Sequence, residues 1–430
     1  MSGNGGVVRG LRRILPPTKL ERDLALQCVL SAFATGSFIT GTAVFFTQIV
    51  GLSGAQVGLG LSIAGVFTLV LSLPLGRLAD HVGAKPLWAV GALVEAALYF
   101  AWPLVGNMVG FVTLLSVLAA VSTAGNTGRN VYRIAVFPRD VRVRALAYMR
   151  SARNVGYTLG ALAGGISLAI GTRQAITAVP ILTGVLLLLN AAMVASLPSI
   201  ERPAAHVVHE DDNAPAPPAW RNRGFVVLSA CNGVLTSNQV LLNVVVPLWL
   251  VERTDAPHTL LAWLFGTNTV MAVCLQVRAS RGSETVTGAL RAVRLSGWSF
   301  VLSCLVISLT HETVGWVSIV LIWLGHVTIT GAELWQSASD WGFQSELSDH
   351  RRLGDYQGVW GLGYQVGPII FPGLYTYLAL QWGAPGWALI AVLAVAAAII
   401  SHPAARAAER YLARSGAPYA GVARAGSATA

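Results

Sequence analysis

The sequence predicts an all-α membrane protein: twelve transmembrane helices in two pseudo-symmetric six-helix bundles, with both termini cytoplasmic. Three observations predict it. Of the 430 residues, 54% are hydrophobic and 11% charged, with a mean hydropathy of +0.62, whereas a soluble domain carries roughly 25% charged residues. Apolar runs of the roughly 20 residues that a helix needs to cross a hydrocarbon core occur twelve times, near 24–50, 55–78, 86–106, 108–136, 146–171, 174–197, 223–250, 258–278, 286–309, 313–340, 355–380 and 384–403. With the N-terminus inside, the inner segments collect 25 of the 29 lysines and arginines. Outer loops keep only Arg173 and Arg253, and Arg129 and Arg133 fall within the fourth run. This positive-inside asymmetry would collapse if a span were missed or invented.

The net charge of +10 would suggest nucleic acid in a soluble protein; here the charged inner loops explain it, and no nucleic-acid partner is expected. Only Lys19 and Lys85 are lysines among the 29 basic residues, which points to a GC-rich bacterial genome and a multi-pass protein of the plasma membrane. Cys28, Cys231, Cys274 and Cys304 sit in apolar runs without metal-ligand spacing and read as reduced packing residues. The N-terminal stretch has no short apolar region followed by a small-residue cleavage site, so it does not read as a signal peptide.

The expected organisation is an N-terminal cytoplasmic segment (1–22), a first bundle (23–197), a cytoplasmic linker (198–222), a second bundle (223–403) and a largely disordered tail (404–430). The linker is polar and proline-rich, as flexible connectors are. Its cluster of Glu210, Asp211 and Asp212 with His206 and His209 reads as solvated chain rather than a cation site. The two halves repeat: Gly156-x-x-x-Gly160 in the fifth run matches Gly363-x-x-x-Gly367 in the eleventh at an offset of 207 residues (156 to 363, 160 to 367), with Arg144 and Arg351 upstream at the same offset. Repeat-built transporters place their binding site between such halves.

Between the second and third runs, Leu73–Trp88 reads L-P-L-G-R-L-A-D-H-V-G-A-K-P-L-W. It predicts a short polar turn, in which Gly76 and Gly83 allow close approach and chain reversal and Asp80 accepts from a helix N-terminus. The spacing Gly76-x-x-x-Asp80-x-x-Gly83-x-Lys85 resembles the loop signature of major facilitator superfamily transporters, with His81 and Ala84 where arginines are usual. In the fifth run, Gly156, Gly160, Ala161, Gly164 and Gly165 provide a small-residue packing face and resemble the antiporter signature of that superfamily, with Ala161 replacing its proline. The eleventh run keeps Gly367-Pro368. The resemblance covers Asp23–Pro403 and is nearest the drug:proton antiporter branch. It implies alternating access, a small-molecule substrate, protons as the coupling ion, no cofactor, no enzymatic activity and a monomer in the bilayer.

Ionisable residues within the spans are the candidates for coupling, because charge in the membrane is costly and normally faces a partner or water. Ser122, Asn126, Arg129, Asn130 and Arg133 share one face of the fourth helix, and His326, Thr330, Glu333, Ser337 and Asp340 one face of the tenth. At the 207-residue offset Asn126 maps to Glu333, Arg129 to Gln336 and Arg133 to Asp340, so a basic stripe answers an acidic one. The expected mechanism pairs Arg129 and Arg133 with Glu333 and Asp340 as a cytoplasmic gate that protonation of Glu333 loosens. The superfamily resemblance also implies a coupling role for Arg129. Glu95, alone among apolar residues in the third run, reads either as a proton carrier or as a carboxyl bonded to a neighbouring helix. Asp23 reads as a helix N-cap.

The first and seventh runs carry the polar residues expected to line the cavity: Gln27, Ser31 and Thr35, and Asn232, Asn238 and Gln239. Asn126 and His326 join them. Their uncharged character suits an amphiphilic or polar neutral substrate. Trp323, Trp335 and Trp360 read as deep enough to stack on a flat or cationic one. No nucleotide loop, nucleophile elbow or metal set occurs. The sequence thus points to export of a drug-like compound or secondary metabolite by proton antiport. Import or facilitated passage of a sugar, amino acid or lipid-like metabolite, and a sensor or scaffold on a transporter fold, are the alternatives.

Overall fold

A computed structural model describes residues 16–199 and 217–416. The acidic linker cluster and the final residues of the tail lie outside these. Twelve long helices account for most of the described chain. They are α1 (Lys19–Val44), α2 (Gly54–Val82), α3 (Ala84–Tyr99), α4 (Met108–Val136), α5 (Arg139–Ile170), α6 (Arg173–Ser196), α7 (Arg223–Arg253), α8 (Leu260–Ala279), α9 (Val286–Ser308), α10 (Trp316–Glu346), α11 (Leu353–Trp382) and α12 (Ala384–Arg414). Ten are long and apolar enough to cross a membrane; α5 and α11, which carry the repeated glycine motif, are long enough but less apolar. No strand occurs among the described residues.

Local chemistry sets the helix ends, and three expectations are corrected there. Thr18 caps α1 and forms a capping box with Glu21, satisfying orphan N–H groups on both sides of the first turn. Asp23 therefore lies inside the helix and is not its cap. The polar stretch after Gly76 is not a turn: α2 continues to Val82 because nothing between Arg77 and Val82 breaks it, and only Gly83, at φ 100°, reverses the chain. That conformation is one other residues rarely adopt. Finally, α12 runs on through Pro403 to Arg414. Its alanine-rich end favours helix, and Arg406 bonds Glu409 three residues on at 2.9 Å.

Contacts divide the chain into two units. Among the described residues, 16–138 and 144–199 form one; Arg139–Val143 and 217–416 form the other. In the first unit α2 packs on α4, α4 on α3, α3 on α6, α6 on α1 and α1 on α5. In the second the order is α8, α10, α9, α12, α7, α11. Each position is six helices later, so the 207-residue repeat is a repeat of packing.

The glycine motif explains the α1–α5 contact. A Cβ at Gly156, Gly160 or Gly164 would stand 2.4, 2.3 or 2.5 Å from the carbonyl oxygens of Val29, Phe33 and Ser37. Small residues let the two backbones touch. Gly165 is not part of this contact, since a Cβ there would meet nothing within 4 Å. In the second unit a Cβ at Gly363 would clash with Ser229, and one at Gly367 would lie 3.2 Å from the Gly233 oxygen. Pro368 follows inside α11.

The cores are aromatic. Phe38, Phe45, Phe46, Tyr99, Trp102 and Phe111 interlock in the first unit, with ring centroids 4.6–6.4 Å apart; Trp249 and Trp387 meet edge-on at 5.4 Å in the second. The helix that opens each unit has a π-helical turn: Phe45–Ile49 continues α1, and Leu241–Val245 interrupts α7 after a break at Ser237. Such turns are uncommon and concentrate at functional sites.

Candidate functional site

In the first unit the polar residues of four helices converge on the basic face of α4. Arg133 directs Nη2 to Gln27 Oε1 at 3.3 Å and to Cys28 Sγ at 2.8 Å, both on α1. Its guanidinium also lies 6.0 Å from the Trp88 ring centroid. Gln27 is fully enclosed and donates Nε2 to Asn190 Oδ1 on α6 at 2.7 Å. A hydrogen-bonded chain, Asn190–Gln27–Arg133, thus ties α6 to α1 and α4. Arg129 sits one turn back; Arg129, Arg133 and Arg153 of α5 lie within electrostatic reach of one another, and the first two also of Cys28. The Nε atoms of all three arginines are enclosed and make no hydrogen bond.

Glu95 on α3 accepts a 2.6 Å hydrogen bond from Ser122 on α4, the interhelical bond that was the alternative to a proton carrier, and feels the charge of Arg129. Asn126 is exposed on α4. Ser31 and Thr35 are half-buried, and Thr35 spends its hydroxyl on the Ser31 carbonyl at 2.9 Å. Lys85 donates to the carbonyl of Leu197, capping the end of α6 as a basic group does well there.

The second unit holds the acidic face of α10. Glu333, 5% exposed, accepts from Asn268 Nδ2 of α8 at 2.8 Å. Asp340 accepts from Asn232 Nδ2 of α7 at 2.9 Å, Trp360 Nε1 of α11 at 2.6 Å and Gln344 Nε2 at 2.8 Å. Gln336, the counterpart of Arg129 in the repeat, donates to Asn232 and Thr236 at 2.9 Å each. His326 is buried on the same face. Asn238 is buried beside the break in α7 and accepts from Gln239 at 3.2 Å, and its Nδ2 makes no hydrogen bond.

The tryptophans depart from expectation. Trp360 is buried, and besides its bond to Asp340 its ring packs against Phe225 at 5.2 Å and Phe343 at 6.4 Å, so its faces serve packing rather than a ligand. Trp323 is exposed and bonded to Thr267 at 3.1 Å; Trp335 is half-buried.

Several participants escaped the sequence reading. Asn190 is a single polar residue in an apolar run, and that isolation was the available signal; Asn268 lies between two threonines and Arg153 among Arg150, Ser151 and Asn154, where nothing sets them apart. Another lies in the second unit, where Arg139, at the start of α5, meets Glu346 at the end of α10. Its Nε donates to Oε1 at 2.8 Å while Nη2 contacts Oε2, the bidentate geometry guanidinium favours. Arg142 donates to Ser345 Oγ at 2.7 Å. Arg139 and Glu346 occupy equivalent positions of the 207-residue repeat.

Comparison with solved structures finds the same fold. FucP, an E. coli fucose:proton symporter, in its outward conformation aligns over 89% of this chain and 98% of its own, with 13% identity and a TM-score of 0.68. A bacterial homologue of the iron transporter ferroportin, in its outward-facing state, aligns over 91% and 100%, with 10% identity and a TM-score of 0.65. The human organic anion transporter MFSD10 aligns over 90% and 100%, with 15% identity and a TM-score of 0.61. No curated protein matches the sequence. The family model of the Major Facilitator Superfamily matches residues 24–338. With the helix order, the glycine-lined crossings and the internal repeat, that match settles the family: this chain belongs to the Major Facilitator Superfamily and is a membrane transporter, not an enzyme.

Proposed function

We propose that the protein is a proton antiporter of the plasma membrane that exports a small organic molecule by alternating access. The observation that supports this most is the acidic face of α10. Glu333 and Asp340 are seven residues apart on one face of this apolar helix, and His326 is seven residues before Glu333. Carboxyls in such positions are usual stations for a moving proton. Asp340 is held by three N–H donors, and Glu333 is assigned as the member that carries the coupling proton. Arg133, held by neutral neighbours in the first unit, and Arg129 are the opposite members of this charge switch, pairing with Glu333 and Asp340 transiently during the cycle. α1 and α7, each with a π-helical turn among polar residues, supply the substrate contacts.

The test is proton movement in proteoliposomes that enclose a pH-sensitive dye, on addition of cationic, neutral and anionic compounds. A compound that dissipates an imposed pH gradient through the wild type but not through Glu333→Gln supports the proposal. Equal proton flux through the variant removes Glu333 from the coupling role and turns attention to Glu95.

A further inference from the structure

The charge balance of the first unit is not closed by its own residues. Arg129, Arg133 and Arg153 share one neighbourhood on α4 and α5. Among the described residues of this unit, no ion pair involves any of them. Glu95, the nearby carboxylate, takes its hydrogen bond from Ser122 and feels the charge of Arg129, but one carboxylate does not balance three guanidinium groups. The groups that do touch Arg133 are an amide, a thiol and an indole face. These orient a guanidinium without neutralising it. Burying a charge without a counter-charge is expensive, and a fixed fork of N–H donors suits a planar or tetrahedral oxyanion. The unbonded Nε atoms of all three are enclosed donors of the same kind.

We propose that Arg129, Arg133 and Arg153 form the recognition site for an anionic group of the transported molecule: a carboxylate, sulfonate or phosphate. The inference rests on the transporter reading above and narrows its substrate to organic anions. It replaces the neutral substrate that the uncharged residues of the first and seventh runs suggest, because Gln27 of the first run bonds Arg133 rather than displacing it. Gln27 and Asn190 then act as positioning residues that hold Arg133 in place.

The experiment is ligand-dependent thermal stabilisation of the purified full chain with one scaffold in different charge states: 1-naphthoate, 1-naphthalenesulfonate and 1-naphthyl phosphate against 1-naphthamide and 1-naphthylmethylamine. The expected result is stabilisation by at least one anion and by neither the amide nor the amine. Arg129→Gln, Arg133→Gln or Arg153→Gln should weaken the binding about 10- to 100-fold, the range of one charge-assisted hydrogen bond. Arg129→Lys should retain more affinity than Arg129→Gln, and Arg173→Gln, at the start of α6, should bind as wild type. If the glutamine variants do not fold, the contrast between naphthoate and naphthamide on wild type decides. Stabilisation by the amine or amide alone, no response to any anion, or equal anion binding to wild type and Arg129→Gln would overturn the assignment. Failure here leaves antiport intact if a neutral or cationic compound still moves protons; anion binding without proton movement removes antiport and leaves this site.

Discussion

Gly160→Ala and Gly165→Ala are the same chemical change five residues apart on α5, and the structure assigns them opposite outcomes. A methyl at Gly160 would lie 2.3 Å from the Phe33 oxygen and 2.8 Å from the Ser37 nitrogen. Carbon and oxygen rarely approach closer than about 3.3 Å even in favourable C–H···O contacts, so α1 and α5 must separate by roughly 1 Å. Such overpacking costs about 1–3 kcal/mol. At Gly165 the methyl meets nothing within 4 Å, leaving the intrinsic helix gain of alanine over glycine, about 1 kcal/mol. That gain is common to both variants and cancels in the comparison. Gly160→Ala should therefore be less stable than Gly165→Ala by about 1–3 kcal/mol, measured by reversible unfolding of purified protein in mixed micelles. Gly156→Ala and Gly164→Ala should follow Gly160→Ala. If Gly160→Ala is as stable as Gly165→Ala, the account of the α1–α5 crossing is wrong.

Trp360→Phe keeps the ring packing but removes the 2.6 Å bond to Asp340; thermal unfolding should show a loss of about 1.5–3 kcal/mol, the range for hydrogen bonds to charged groups. Lys85→Met leaves the end of α6 without its basic cap, and the same assay should show a smaller loss of about 0.3–1 kcal/mol. Asp255, in the loop after α7, accepts a hydrogen bond from the backbone N–H of Gly315 at the start of α10, which holds its carboxyl below the usual aspartate range. A group with a lowered native pKa stabilises above its unfolded value, about 3.9 for aspartate, and loses that effect as pH falls through the native one. Melts of wild type and Asp255→Asn should thus differ by a constant small amount from pH 8 to 5 and converge only under stronger acid.

The all-helical fold class and the repeat were legible because each rests on many residues: long apolar runs, and two glycine pairs at one offset. Turns rest on single residues, and there the reading was weaker. The polar stretch after Gly76 looks like a loop by composition, yet Arg77, Asp80 and His81 are tolerated in a helix, and Gly83 alone reverses the chain. Asp23 resembles a cap, but Thr18 is placed to form a capping box with Glu21. Within the site, periodicity put Glu333 and Asp340 on one face and Arg129 and Arg133 on another. It could not supply their partners. Asn268, Asn190 and Arg153 come from helices whose rotation only packing decides, and Trp360 changed from a stacking platform to a hydrogen-bond donor because its ring fits Phe225 and Phe343.

The central claim, export driven by protons, is tested most directly by the sign of the pH gradient that drives accumulation. Proteoliposomes would be loaded at acidic or alkaline internal pH, and uptake of a labelled compound followed against its own gradient. Antiport predicts accumulation when the interior is acidic, because protons leaving draw the compound in, with Glu333→Gln reducing uptake to equilibration. Accumulation with an alkaline interior would mean symport, and equilibration that ignores the gradient would mean facilitated passage; either result contradicts the account.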